Sequence, residues 1–461
     1  MSRASASSRS AMPPACPACS AVTTASTCAP PTSSDPPPKD TPMKTAIRHP
    51  LALLAGLLLG SFAHAAEIPA GTVLNKASID KLLTETLDGK PLKSLLTERV
   101  EWMVRNQGFA MKLANAKPIE VDARWKEATK RNAPQVKFEA ATRTVSGWKG
   151  GLPFPAIEAG DPAAGDKVAW NARYGLLEGY AQDEPYVAVY LVDLDKGVER
   201  VQNWAYKRVI MNGRVGAEAA TLGDGSVLAK TLVFLTYPQD IRGIGSFSLR
   251  HLDASKVDDK WVYINQFRRT KRVSGGGWMD PLGGGVDILQ EDLNVWDTPP
   301  NWYPSVKLKG KRWVLAVAHA GKPVDESKKR TPAELLQSDL EQPPYINSRN
   351  AWEPREVYEL EVTPATEHPY GKRVVYVDAE LFQAYHSEIY DKKGEFWKFI
   401  SYERAPVVGK DGFKGFSALQ GRFIDVKRRH ATVFASDWVM NDPKINDKTI
   451  TAEALEREAG K

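Results

Sequence analysis

The sequence predicts a mainly β fold: one large antiparallel sheet curved into a half-barrel, with helices on its concave face. Three observations predict it. Beyond residue 147, strand-like segments follow one another through short turns with almost no helical pattern between them, which makes an antiparallel meander. Several of these segments alternate an apolar and a polar face, as sheets covered on one side do. Twelve such segments are recognisable, and twisted strands in that number curl or split rather than stay flat.

The chain begins with a stretch that belongs to no fold. Residues 1–42 are Pro, Ser, Ala and Thr with hardly any large apolar side chain, so they cannot form a core. From Met43 the pattern is that of a secretory signal peptide. Lys44 and Arg48 form a basic region, Leu51 to Phe62 an apolar one, and Ala63, His64 and Ala65 an A-x-A cleavage site. The apolar run is too short for a membrane span. The expectation is that Met43 starts the protein, that residues 1–42 are a mis-assigned or disordered extension, and that residues 43–65 direct export to the periplasm.

All three cysteines, Cys16, Cys19 and Cys28, lie in the first stretch. The C-x-x-C spacing of Cys16 and Cys19 matches redox and zinc motifs, but no fold surrounds it. From Ala66 onward the chain has no cysteine, hence no disulfide, no thiol chemistry and no lipobox, so the expected product is not a lipoprotein. That chain carries 57 Lys and Arg against 54 Asp and Glu, a net charge of +3. Near-neutrality gives no case for nucleic-acid binding.

Residues 66–146 read as a helical segment packing on the sheet. "KASIDKLLTETL" opens at a Ser78 N-cap with Ile79, Leu82, Leu83 and Leu87 at helix spacing. Leu95, Leu96, Val100, Met103 and Val104 continue the pattern, and "VDARWKEATKRNA" adds a more polar helix. Gly147 to Pro162 is a Gly- and Pro-rich break. Residues 147–461 then form the sheet domain. Its predicted strands are Val168–Tyr180, Tyr186–Asp193, Val198–Met211, Leu228–Tyr237, Gly243–Leu252, Lys260–Val273, Val286–Trp296, Val306–His319, Glu356–Thr363, Arg373–Tyr390, Phe396–Val407 and Ser417–Phe434. Later helices are predicted at Thr331–Leu340 and in the C-terminal "TAEALEREAG".

Faces can be assigned strand by strand. Tyr358, Leu360 and Val362 oppose Glu359 and Glu361. Trp261, Tyr263 and Phe267 share a face, as do Phe247 and Leu249 against Ser246, Ser248 and Arg250. A large apolar face of this kind needs filling by the helices, by a ligand, or by both.

The segment from Tyr237 to Val273 carries a family resemblance. Pro238 to Gly243, the apolar Phe247 to Leu249, the acidic Asp258 and Asp259, Trp261 to Tyr263 and the basic Arg268, Arg269 and Arg272 follow in that order. "SGGGWMDPLGGGVDILQEDLNVW" comes next, with "GGLPFP" (Gly150 to Pro155) upstream and "NDPKINDKTITAEALER" near the end. This resembles the outer-membrane lipoprotein-sorting (LolA/LolB-like) superfamily, and more closely its large domain-of-unknown-function branch in Gram-negative bacteria. The resemblance spans most of Gly147 to Arg457. It implies an incomplete antiparallel barrel with helices on the concave side, and carriage of lipids or acylated lipoproteins through the periplasm.

Lipid carriage needs a cavity lined by aliphatic and aromatic side chains. The candidate lining is Val233, Leu235, Phe247, Leu249, Trp261, Tyr263, Phe267, Leu315 and Tyr358, against the alternative that these simply pack on the helices. Arg268, Arg269 and Arg272 could meet an acidic head group at the rim, or form a solvated strand end. The Gly-rich stretch matches neither G-x-G-x-x-G nor a P-loop. It reads as a connection or lid, with Trp278 and Met279 at its centre. No catalytic residue, metal site or cofactor is assigned. His386 and Glu388 could share a strand face, with a surface hydrogen bond as the simpler reading. Glu291 and Asp292, adjacent on a predicted strand, would point to opposite faces. The expectation is a non-catalytic, peripheral, monomeric carrier of a lipid, lipoprotein or other hydrophobic molecule between the two membranes, with an exporter or outer-membrane protein as a candidate partner. A ligand-free envelope scaffold and a glycan-active enzyme are the alternatives.

Overall fold

The structure is a computed structural model that describes residues 65–158, 160–264, 268–273, 277–321 and 336–459. Fifteen strands form one open sheet. In chain order they are β1 (Val73–Leu74), β2 (Met111–Leu113), β3 (Ala181–Asp193), β4 (Gly197–Ile210), β5 (Val227–Tyr237), β6 (Gly245–His251), β7 (Asp259–Ile264), β8 (Arg269–Val273), β9 (Ser305–Ala316), β10 (Ala351–Thr363), β11 (Lys372–Asp378), β12 (Ala384–Tyr390), β13 (Phe396–Val408), β14 (Lys414–Asp425) and β15 (His430–Met440). Among the described residues, six helices accompany them: α1 (Ile79–Leu82), α2 (Leu92–Leu95), α3 (Glu98–Asn106), α4 (Ala123–Asn132), α5 (Ala164–Tyr174) and α6 (Ala452–Ala459).

Two antiparallel meanders are joined edge to edge. β3 to β8 run in order, β9 to β15 run in order, and β15 pairs with β3 along Met440 to His430. The free edges stay apart at β8 and at β9 with β1, so the sheet is not a closed barrel. One parallel contact, Ala351 and Trp352 of β10 beside Lys112 and Leu113 of β2, makes it mixed. Turn chemistry sets the hairpins. Between β12 and β13, Gly394 takes φ +81° while the Asp391 carboxylate accepts the amides of Lys393 at 2.8 Å and Glu395 at 2.9 Å.

Both faces of the sheet are covered, not one. On the first face lie α5 and the segment 277–304. On the second, the segment carrying α1 to α3 packs over β9 to β13, with Phe109 edge-on to Trp352 and Phe399. At the other end of that second face α6 packs over β5 to β8, where Leu455 is fully buried. Ser246 and Arg250, predicted to face water, are therefore on the covered first face, and Arg250 is bonded to Asp297 at 2.8 Å.

Several predicted elements change. Val168–Tyr180 is not a strand; its first half belongs to α5. Val286–Trp296 is a loop with one helical turn at Gln290–Asp292. Lys260–Val273, Arg373–Tyr390 and Ser417–Phe434 each contain two strands. The N-terminal segment is broken into short helices and joins the sheet through β1 and β2. Ser78 does precede α1, but its hydroxyl bonds the Val73 carbonyl at 2.8 Å and caps no helix amide. Residues 331–335 lie outside the described residues, and Ser338–Asp339 is extended, paired with Asn347–Ser348. The residues before Ala65, where a signal peptide is predicted, also lie outside them.

Candidate functional site

Strand parity separates the predicted groove residues. In β5, β6 and β7, Leu232, Phe247 and Trp261 are direct cross-strand partners, so they share the second face; Val233, Ser246 and Val262 share the first. Phe247, Leu249, Trp261 and Tyr263 therefore meet in one apolar patch. The rings of Phe247 and Trp261 lie 5.3 Å apart, and α6 lies over them. Val233 and Leu235 point the other way, against Trp204. Leu315 and Tyr358 sit in the main core, Tyr358 stacked on Phe382 at 5.5 Å. Phe267 lies outside the described residues. The eight described residues do not line one groove; four of them line a patch on the β5–β8 wing.

The wing's cover is tied down at its edge. The Glu456 carboxylate of α6 accepts the Thr270 amide at 2.6 Å and the Thr270 hydroxyl at 2.8 Å. Of the predicted rim, Arg268 and Arg269 are exposed, and Arg272 pairs with Asp259 while its guanidinium lies 5.5 Å from the Trp261 ring centre.

Trp278 does not sit at the tip of a free loop. Its ring packs against Trp302, Tyr303 and His368, at 5.6, 5.8 and 5.5 Å. Beneath it lies a buried ionic cluster that pattern reasoning missed. Arg373 donates to Glu291 at 2.8 Å, to Asp292, and to the Val295 carbonyl at 3.0 Å. The Tyr370 hydroxyl donates to Asp292 at 2.7 Å and the Tyr303 hydroxyl to Glu291. His368 accepts the Tyr370 amide on Nδ1 at 2.9 Å, so Nε2 carries the proton that faces Glu291 at 3.0 Å. Burial raises the Asp292 carboxyl above its ordinary value. Burial alone would also raise Glu291, but Arg373 and His368 outweigh it and hold that carboxyl low. Glu291 and Asp292 thus serve one cation, in a helical turn and not across a strand.

His386 and Glu388 are both buried on the second face. The His386 ring lies between Trp352 and Phe399, and Glu388 accepts the Tyr390 hydroxyl at 2.9 Å. Neither makes the predicted surface hydrogen bond. Among the described residues no group of three or more His, Cys, Asp or Glu is placed to hold a metal ion. No helix there is long and apolar enough to cross a membrane.

On the first face, α5, the sheet and residues 294–298 enclose a cavity of about 530 Å³, part of it open to solvent. Its walls combine Leu360, Val375 and Val377 with Arg173, Arg208 and Arg404. Arg404 is fully engaged, with the Ala384 carbonyl at 3.0 Å, Asn294 at 2.7 Å and Glu178 at 3.4 Å. Asp297 is clasped by Arg250 through two 2.8 Å bonds. Burial would raise its carboxyl, but Arg250 outweighs that and holds it low.

No curated protein matches the chain. Among solved structures, a DUF1329 family protein from Desulfovibrio piger is similar at 17% identity, covering 60% of this chain and 92% of that one, with a TM-score of 0.41. A LolA superfamily protein from Nitrosomonas europaea is similar at 16% identity, covering 65% of this chain and all of that one, with a TM-score of 0.36. The family model described as "Protein of unknown function (DUF1329)" matches residues 75–456, from just after β1 into α6, and the chain belongs to that family.

Proposed function

We propose that the protein is a non-catalytic periplasmic binding protein that holds a lipid or other hydrophobic molecule on the β5–β8 wing, with α6 as a displaceable cover. One observation carries the reading. Phe247, Leu249, Trp261 and Tyr263 converge on one sheet face whose cover there is an eight-residue helix with its flanking turn. Each acyl CH₂ moved from water to such a face gains about 0.8 kcal/mol, so a chain of modest length competes with the few side chains that α6 contributes. Exchange of helix for ligand needs no covalent step. Docking to a membrane-protein partner would supply the trigger for uptake or release.

The test is native mass spectrometry of the protein purified from periplasm, with lipid analysis of an organic extract. Near-stoichiometric lipid is expected, lost when Trp261 or Phe247 is replaced by Asp in a variant that still melts cooperatively. A protein that is empty, and stays empty when offered envelope lipids, would sink the reading and leave the scaffold alternative.

A further inference from the structure

The cavity between α5 and the first face presents hydrogen-bond donors without acceptors. Arg208 is 8% exposed, and among the described residues neither an ion pair nor a hydrogen bond reaches its guanidinium. Arg173 lies beside it with a buried Nε that has no partner; its Nη1 is 3.4 Å from the Asp297 carbonyl and 3.8 Å from the carboxylate. The neighbouring acids are already committed. Asp297 serves Arg250, and Glu178 serves Arg404 and, at 3.1 Å, Gln182. Glu184 holds the Ser436 hydroxyl, and burial pushes its carboxyl up to about 8, so at neutral pH it supplies little negative charge. Arg250, Arg173 and Arg208 thus gather around the single carboxylate of Asp297, an excess of positive charge that a visiting anion would balance.

We propose that this cavity binds the anionic group of a small amphiphile, a carboxylate or phosphate ester bearing an apolar body, with Arg208 and Arg173 as its head-group contacts. A guanidinium fork suits both oxyanions, and Leu360, Val375 and Val377 offer the apolar wall opposite. The cavity is open to solvent on one side, so a head group can enter while its apolar body lies along the mouth. The cavity lies on the face opposite the wing patch, so this proposal does not rest on lipid binding there.

The experiment is calorimetric titration of the protein with octanoate, with octanol as the uncharged control and with lysophosphatidate as a lipid-borne anion. Octanoate is expected to bind at least tenfold more tightly than octanol. Arg208→Met is expected to remove that difference while melting at about the same temperature, because Arg250 and Arg173 remain to balance Asp297. Saturation by octanoate assigns a free carboxylate; binding of lysophosphatidate alone assigns a lipid head group; either supports the site. Binding of neither, equal binding of octanol, unchanged affinity in Arg208→Met, or a marked fall in its melting temperature would overturn it. Replacing Trp261 by Asp should leave the octanoate titration untouched, which separates this site from the wing.

Discussion

His386 donates from Nε2 to the carbonyl oxygen of Leu315 at 2.8 Å, which fixes a neutral imidazole inside the aromatic stack of Trp352 and Phe399. Burial pushes its pKa down to about 4. The unfolded ring titrates near 6.5, so between these values the unfolded chain binds the extra proton. The contribution is fully present above about pH 6.5 and is lost as pH falls toward 4, roughly 3 kcal/mol in all. Urea denaturation from pH 7 to 4 should show His386→Phe losing less stability than the parent across this window. Identical pH profiles would refute the assignment.

Removing the cation of the buried cluster should be severe. Arg373→Met leaves Glu291 and Asp292 together in the core without their partner, at a cost of about 3–5 kcal/mol. The triple variant Arg373→Met, Glu291→Gln, Asp292→Asn removes the charges together and should recover most of that loss. Equilibrium unfolding of both variants measures the difference. A triple variant no better than the single would mean that the charge itself is not what matters.

The tether of the wing cover predicts a local effect. Glu456→Ala frees the Thr270 amide and removes a charged hydrogen bond, of order 1–2 kcal/mol. Hydrogen exchange in α6 and β8 should quicken about tenfold, with β12 to β14 unchanged. Acceleration spread evenly over the sheet would show that α6 is integral to the global fold and not a separable cover.

Gly165 is where α5 meets β9. A methyl group there would stand 2.4 Å from the Val306 carbonyl oxygen and 2.8 Å from the Leu308 nitrogen, both backbone atoms. Gly165→Ala, ordinarily favourable in a helix, is therefore expected to destabilise by about 1–3 kcal/mol. It should also weaken octanoate binding, because α5 forms one wall of the cavity. A variant as stable as the parent would mean that the helix can shift freely.

Alternation made the strands legible, because most of β3 to β15 carry a side-chain period that survives in isolation. α5 was hidden for the opposite reason. Ala164, Gly165, Asp166, Val168, Ala169, Trp170 and Asn171 are all buried, so polar Asp166 and Asn171 lie inside with the apolar residues and the exposed stripe that marks a surface helix is narrow. The loop 286–296 imitated a strand because Ile288, Leu293 and Val295 are apolar. Its true form depends on Arg373, about eighty residues away, which binds both acids and the Val295 carbonyl. Asn294 and Val295 adopt φ of +53° and +73°, a conformation that a β-branched residue takes only when such partners hold it. The wing patch was legible in part, since parity within β6 and β7 follows from sequence. Which residues of β5 join it depends on cross-strand register, which does not. Arg173 and Arg208 left no pattern at all, being single arginines on different elements that only the fold brings together.

The sheet stops at β8, and what stands there governs how the molecule meets its own copies. An open sheet ordinarily offers its last strand as a template for another chain. Here the Thr270 amide is already occupied by Glu456, and Arg269, Lys271 and Arg272 are exposed along five residues of strand. Two such edges approaching each other would bring like charges face to face before any backbone bond could form. The barrier is electrostatic, so it weakens as salt shortens the Debye length to about 3 Å at 1 M. Self-association of this protein is therefore expected to rise with salt, through the same basic strand to which α6 is tied.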